Sequence, residues 1–109
     1  MANNWPIPTD LTPHGRESAE LIHTFLVEKG ITDHGGGGHF YSPTEWDERG
    51  EKWGLNSLLI ITHDGGDHAA AFNLDYGAEE LVEALRKRLR SIGVYVEQCS
   101  SWYSAVHTA

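Results

Sequence analysis

Cysteine is all but absent from this chain. Cys99 stands alone, so no disulfide can form within it. That excludes the disulfide-held secreted scaffolds and suits a reducing compartment. Long apolar runs are missing too. The longest, Leu58 to Ile61, falls far short of the roughly 20 residues that a membrane-spanning helix requires. The opening Met-Ala-Asn-Asn-Trp-Pro has neither a basic region nor an apolar stretch of the signal-peptide kind. These features together predict a cytoplasmic protein that does not engage membranes. Basic residues are scarce as well, 8 against 16 acidic, for a net charge of −8. Four of the eight are Arg86, Lys87, Arg88 and Arg90, and without them the remainder carries −12. An acidic body with one basic helix end disfavours phosphate-backbone binding, so no duplex nucleic acid is expected as a partner.

The chain has 109 residues, the size of a single domain. Such a length can bury a core on the order of two-thirds of the unfolded surface without a staple. The reading is therefore one α+β domain over residues 1–109, with 1–12 as an extended N-terminal arm around Pro6 and Pro8, tied down by Trp5 and Ile7.

Thr12-Pro13 opens a first helix, with proline at the first helical position. Leu21, Ile22, Phe25 and Leu26 form its apolar stripe, and Gly30 stops it. Ile31 to Tyr41 reads as a loop, because a four-glycine run loses too much backbone freedom to sit inside a regular element. Ser42-Pro43-Thr44-Glu45 is a capping box. It predicts a second helix to about Trp53, with Trp46 and Trp53 on one face. Leu58–His63 and His68–Asn73 read as two strands of a hairpin around Asp64-Gly65-Gly66-Asp67. The third helix spans about Ala78 to Ile92, with Leu81, Leu85, Leu89 and Ile92 on its apolar side. Its acidic start and basic end suit the helix dipole. Val94–Cys99 and Trp102–His107 complete the set as strands. The order α-α-β-β-α-β-β predicts a single four-stranded mixed or antiparallel sheet with helices on one face.

Four constellations bear on chemistry. In a two-residue Gly-Gly hairpin, His63 and His68 become cross-strand neighbours with Cβ atoms roughly 5 Å apart. With Asp64 or Asp67, or a distant His14, His34 or His39, they could hold zinc. The plainer expectation is good turn chemistry with two histidines edging the core and no metal bound. The run Gly35–Gly38 could cradle an anion with backbone amides, as in a nucleotide-binding loop, yet it lacks the Gly-Lys-Ser/Thr ending of a P-loop and works equally as a linker. Cys99 near His107 suggests a nucleophile, but the strand offset sets the base too far away, so a buried cysteine near a strand end is expected. Last come the aromatics, four Trp and four Tyr in one small domain. Adjacent Trp102 and Tyr103 on a strand should point to opposite faces, leaving one ring for an interface.

Phe40-Tyr41-Ser42-Pro43 with Glu45-Trp46, then His63-Asp64-Gly65-Gly66-Asp67, then Glu97-Gln98-Cys99 with Trp102-Tyr103-Ser104-Ala105-Val106 resemble small uncharacterised proteins of actinobacteria and their bacteriophages. The resemblance spans most of the chain from His14 onward. It implies at most an intracellular accessory role and transfers no catalytic residue. The expected function is thus a non-enzymatic binding protein without a cofactor, taking a protein partner or small ligand on an acidic, aromatic surface. His34, His39, Tyr41, Trp102 and Tyr103 are the candidate contacts. The alternatives are a small zinc-dependent hydrolase at His63, Asp64, Asp67 and His68, and a nucleotide-binding protein using Gly35–Gly38.

Overall fold

A computed structural model describes residues 5–109; residues 1–4 of the expected N-terminal arm lie outside the described residues. The class is α+β, with one four-stranded antiparallel sheet. Elements follow the order α1 (Pro13–Lys29), β1 (His39–Tyr41), α2 (Pro43–Glu48), β2 (Leu59–Thr62), α3 (Glu79–Arg90), β3 (Val94–Gln98) and β4 (Tyr103–Thr108). The strands lie side by side as β1-β2-β4-β3, and each neighbouring pair is antiparallel.

Local chemistry places the helices. Thr12 caps α1 by accepting from the Gly15 amide, and Gly30 ends it in the left-handed region. At α2 both halves of the capping box form: the Glu45 amide donates to Ser42 Oγ, and the Ser42 amide donates to the Glu45 carboxylate. Ser42 Oγ also donates to Asp10, fastening the N-terminal arm to this corner. The helix stops at Glu48, not near Trp53, because the chain turns left-handed at Gly50. Trp46 and Trp53 therefore do not share a face. Trp46 is fully buried and Trp53 is 74% exposed.

Rows of residues across the sheet show how its two faces differ. Phe40, Ile61, Ser104 and Gln98 form one row, and Leu59, Val106 and Val96 the next. This face carries the main core, where Ile22, Phe25 and Leu26 of α1 meet Leu85 and Leu89 of α3. Strand alternation sends the intervening residues to the opposite face. There Tyr41, Ile60, Ala105 and Glu97 form a row, as do His39, Thr62 and Tyr103, with His107 beside Tyr95. The short α2 covers only the middle of it, through Trp46 packed on Ile60, Tyr103 and Ala105.

One of the four expected strands is replaced. His68–Asn73 is not a strand: Asp67–Ala71 forms a 3-10 turn. The partner of β2 on that side is β4, brought from the far end of the chain, and on the other side it is the three-residue β1, from a segment read as loop. The physical reason lies in composition and competition. His-Ala-Ala-Ala is a weak strand former, whereas Tyr103–Thr108 offers β2 a longer partner.

Candidate functional site

The two glycine runs meet each other. A Cβ on Gly37 would stand 2.1 Å from the Asp64 carbonyl oxygen, and one on Gly35 would stand 2.4 Å from the Gly66 amide. The Asp67 amide donates to the Asp33 carbonyl at 3.0 Å. Asp64–Asp67 is thus a loop docked against Asp33–Gly38, not a hairpin turn. Within the first run the Gly35 amide donates to Asp33 and the Gly36 amide to His34 Nδ1. The Gly37 and Gly38 amides donate to the His34 carbonyl. All four amides are engaged in the loop's own turn, and the arrangement does not form an anion cradle.

This docking also decides the histidines. His63 and His68 are both buried but are not cross-strand neighbours, since no second strand follows the turn. His63 Nε2 lies 2.8 Å from Ser104 Oγ, and its ring stacks on Phe72. His68 Nε2 donates to the Thr62 carbonyl at 3.0 Å, with its ring edge against Trp5. Burial pushes the His63 ring down to about 4, with the neighbouring His68 adding to the effect, and burial lowers His68 as well. Both rings are neutral at pH 7. Asp64 and Asp67 are exposed. Among the described residues no three His, Cys, Asp or Glu side chains converge as a metal site. Of the proposed third ligands, His14 bonds to the Ile92 carbonyl and His39 packs on Tyr41. His34 does lie near His68, both rings packing against Trp5, but the two converge with no third ligand among the described residues.

Four of the five candidate contact residues do come together. On the sheet face under α2, rings touch in sequence: His39 to Tyr41 at 4.6 Å, Tyr41 to Trp46 at 5.2 Å, then Trp46 to Trp102 at 5.7 Å and to Tyr103 at 5.0 Å. His34 does not join them. Trp102 lies just before β4 rather than inside it, so the expected alternation fails, and Trp102 and Tyr103 pack together at 4.7 Å. The Arg49 guanidinium lies over this set, 5.1 Å from the Tyr41 ring, 4.8 Å from Trp46 and 5.9 Å from Trp102. It also donates to the Tyr41 hydroxyl. Each such cation–π contact contributes roughly 0.5–1 kcal/mol at a surface.

Beside this layer a cleft of about 360 Å³ is lined by Trp53, Gly54, Glu97, Gln98, Cys99 and Tyr103. Trp46 Nε1 donates to the Trp53 carbonyl, which anchors the Trp53 backbone while its indole stands in solvent. Burial, with Glu97 nearby, raises the Cys99 thiol, and burial raises the Tyr103 phenol. His107 pairs with Glu97 at 2.9 Å, not with the thiol. The cleft has carboxylate, thiol and phenol but no activated nucleophile. Grooves of similar volume lie between α1 and α3 and at the start of α3, and neither is lined by an aromatic ring.

Sequence reasoning missed Trp53, Glu97 and Arg49 as members of this face. Gly50 and Gly54 on either side of Trp53 were the available signal, since they place it on a loop and not on a buried helix face. Comparison with protein-family models, with curated proteins and with solved structures gave no match.

Proposed function

We propose that this is a non-enzymatic binding protein whose aromatic sheet face takes a basic segment of a protein partner, an arginine- or lysine-bearing peptide, in the cleft between Trp53 and Glu97. The observation that carries the reading is Trp53, a large indole 74% exposed at a cleft that contains Glu97 and no cationic lining residue. An exposed indole beside a carboxylate is the combination that binds a cation by its face and by its charge. The same face already binds one guanidinium, that of Arg49, across three rings. The acidic field of the whole molecule draws a basic partner toward it and makes the encounter salt-dependent. A cytoplasmic accessory role suits such an adaptor.

The test is calorimetric titration with an oligo-arginine peptide, with oligo-glutamate as the control. The reading expects oligo-arginine binding that weakens as salt rises. It expects at least a tenfold loss in Trp53→Ala and a smaller loss in Glu97→Gln, both variants remaining folded because neither side chain is in the core. Affinity unchanged in Trp53→Ala would discard the site.

A further inference from the structure

We infer that the free edge of β3 is a self-association surface, at which a second copy of this chain pairs antiparallel to extend the sheet across a twofold axis. Hydrogen bonds at both ends of the β3–β4 ladder reveal which backbone groups face outward. The Ala109 amide donates to Gly93, and the Cys99 amide donates to Tyr103. Antiparallel ladders alternate, so residues 93, 95, 97 and 99 bond inward to β4. The N–H and C=O groups of Val94, Val96 and Gln98 then point away from the sheet. Among the described residues no backbone group pairs with them. Natural proteins protect such edges with lysine, proline, bulges or a covering segment. This strand, Val-Tyr-Val-Glu-Gln, has neither lysine nor proline, and Val96 is only partly buried.

The charge pattern of α3 identifies the occupant. Helix α3 packs on β3, and its two flanks differ. On the flank toward α1, Arg88 pairs with Glu28. On the opposite flank, above the free edge, Glu79, Glu83, Arg86 and Arg90 fall on one stripe at spacings of four and three residues. The first half of the stripe is acidic and the second half basic; Glu83 and Arg90 pair with each other within one copy, which leaves Glu79 and Arg86 as the charges for a partner to meet. Arg86 Nε is buried without an acceptor among the described residues. Antiparallel pairing of two β3 strands about Val96 sets Val94 against Gln98 of the partner subunit. It also sets the two α3 helices antiparallel, so each acidic half faces a basic half. Such an interface is isologous and closed, the usual form of a homodimer. The net charge of −8 on each copy opposes association only weakly, because charges farther apart than about 8 Å are screened at physiological salt.

Sedimentation velocity of the full chain at about 100 μM, well above the micromolar dissociation constants of modest interfaces, tests this. The expected result is a dimer that Val96→Pro converts to monomer. That substitution removes an outward amide and part of the Val96 packing against the core, but no bond to β4. Two further variants check the charge pattern: Glu79→Lys with Glu83→Lys makes the stripe wholly basic, and Arg86→Glu with Arg90→Glu makes it wholly acidic. Each alone should be a folded monomer, and an equal mixture should restore a dimer. Amide exchange on the unaltered protein needs no variant: Val94 and Val96 should be protected at high concentration and exchange freely on dilution. A wild-type monomer overturns the inference, as does a dimer that the charge variants leave intact, or a Val96 amide whose protection is independent of concentration.

Discussion

At the scale of single residues, the docked glycine loops and the buried histidines are one system. Gly37 has no positive φ, so alanine there is opposed only by the Asp64 carbonyl it would strike. Gly37→Ala should cost about 1–3 kcal/mol, as overpacking generally does, read by urea unfolding; a variant as stable as the parent would mean that the loops do not dock. The histidines make stability pH-dependent with a definite sign. The His63 ring falls from 6.5 in the unfolded chain to about 4 in the fold, so between those values the unfolded state binds the extra proton. Stability from this group is complete above about pH 6.5 and declines as pH falls toward 4, by about 3 kcal/mol in all at ~1.36 kcal/mol per pH unit. His68 shifts the same way. Urea unfolding at pH 7 and pH 4.5 should show the loss, and His63→Gln should flatten it. A parent protein equally stable at both pH values would contradict the burial of these rings.

At the scale of elements, Leu85 is the clearest test, because it is fully buried between α3 and the sheet. Leu85→Ala should lower unfolding free energy by about 2–5 kcal/mol, and a loss under about 1 kcal/mol, typical of surface positions, would refute its place in the core. Helices were legible from local signals that act over a few residues: Thr12-Pro13 and Gly30 bounded α1, Ser42 and Glu45 opened α2, and the leucine spacing defined α3. The strands β3 and β4 were legible for a related reason, a short Ser-Ser turn between two β-branched and aromatic runs. β2 was legible as an apolar run, Leu58–Ile61, but its partners and β1 were not, because those are a matter of who pairs with whom. His39–Tyr41 is a strand only because β2 lies beside it, and His68–Asn73 fails to be one because β4 takes the place first. The site shows the same division. Tyr41, Trp102 and Tyr103 could be named from residue type, whereas the exposure of Trp53 depends on where α2 stops and how the following loop returns to the sheet.

At the scale of the whole molecule, charge is distributed so that the basic residues do not form a free patch. Arg88 is paired with Glu28 and Arg90 with Glu83, and Arg49 sits among aromatic rings. Duplex DNA should therefore bind no more tightly than the roughly 10⁻⁴–10⁻⁶ M of nonspecific contacts. Submicromolar binding at physiological salt in a fluorescence-polarisation assay would overturn that view of the surface. Among the described residues no helix is long and apolar enough to cross a membrane. What distinguishes the surface is the aromatic face of the sheet, only half covered by α2, with Trp53 and Tyr95 open to solvent. The most direct test of its role is nuclear magnetic resonance shift mapping of the full chain titrated with oligo-arginine. The account predicts shifts confined to the Trp53 indole N–H and the amides of Glu97, Gln98, Cys99 and Tyr103. Shifts that instead follow the exposed carboxylates at the start of α3, with the Trp53 indole unmoved, would contradict it.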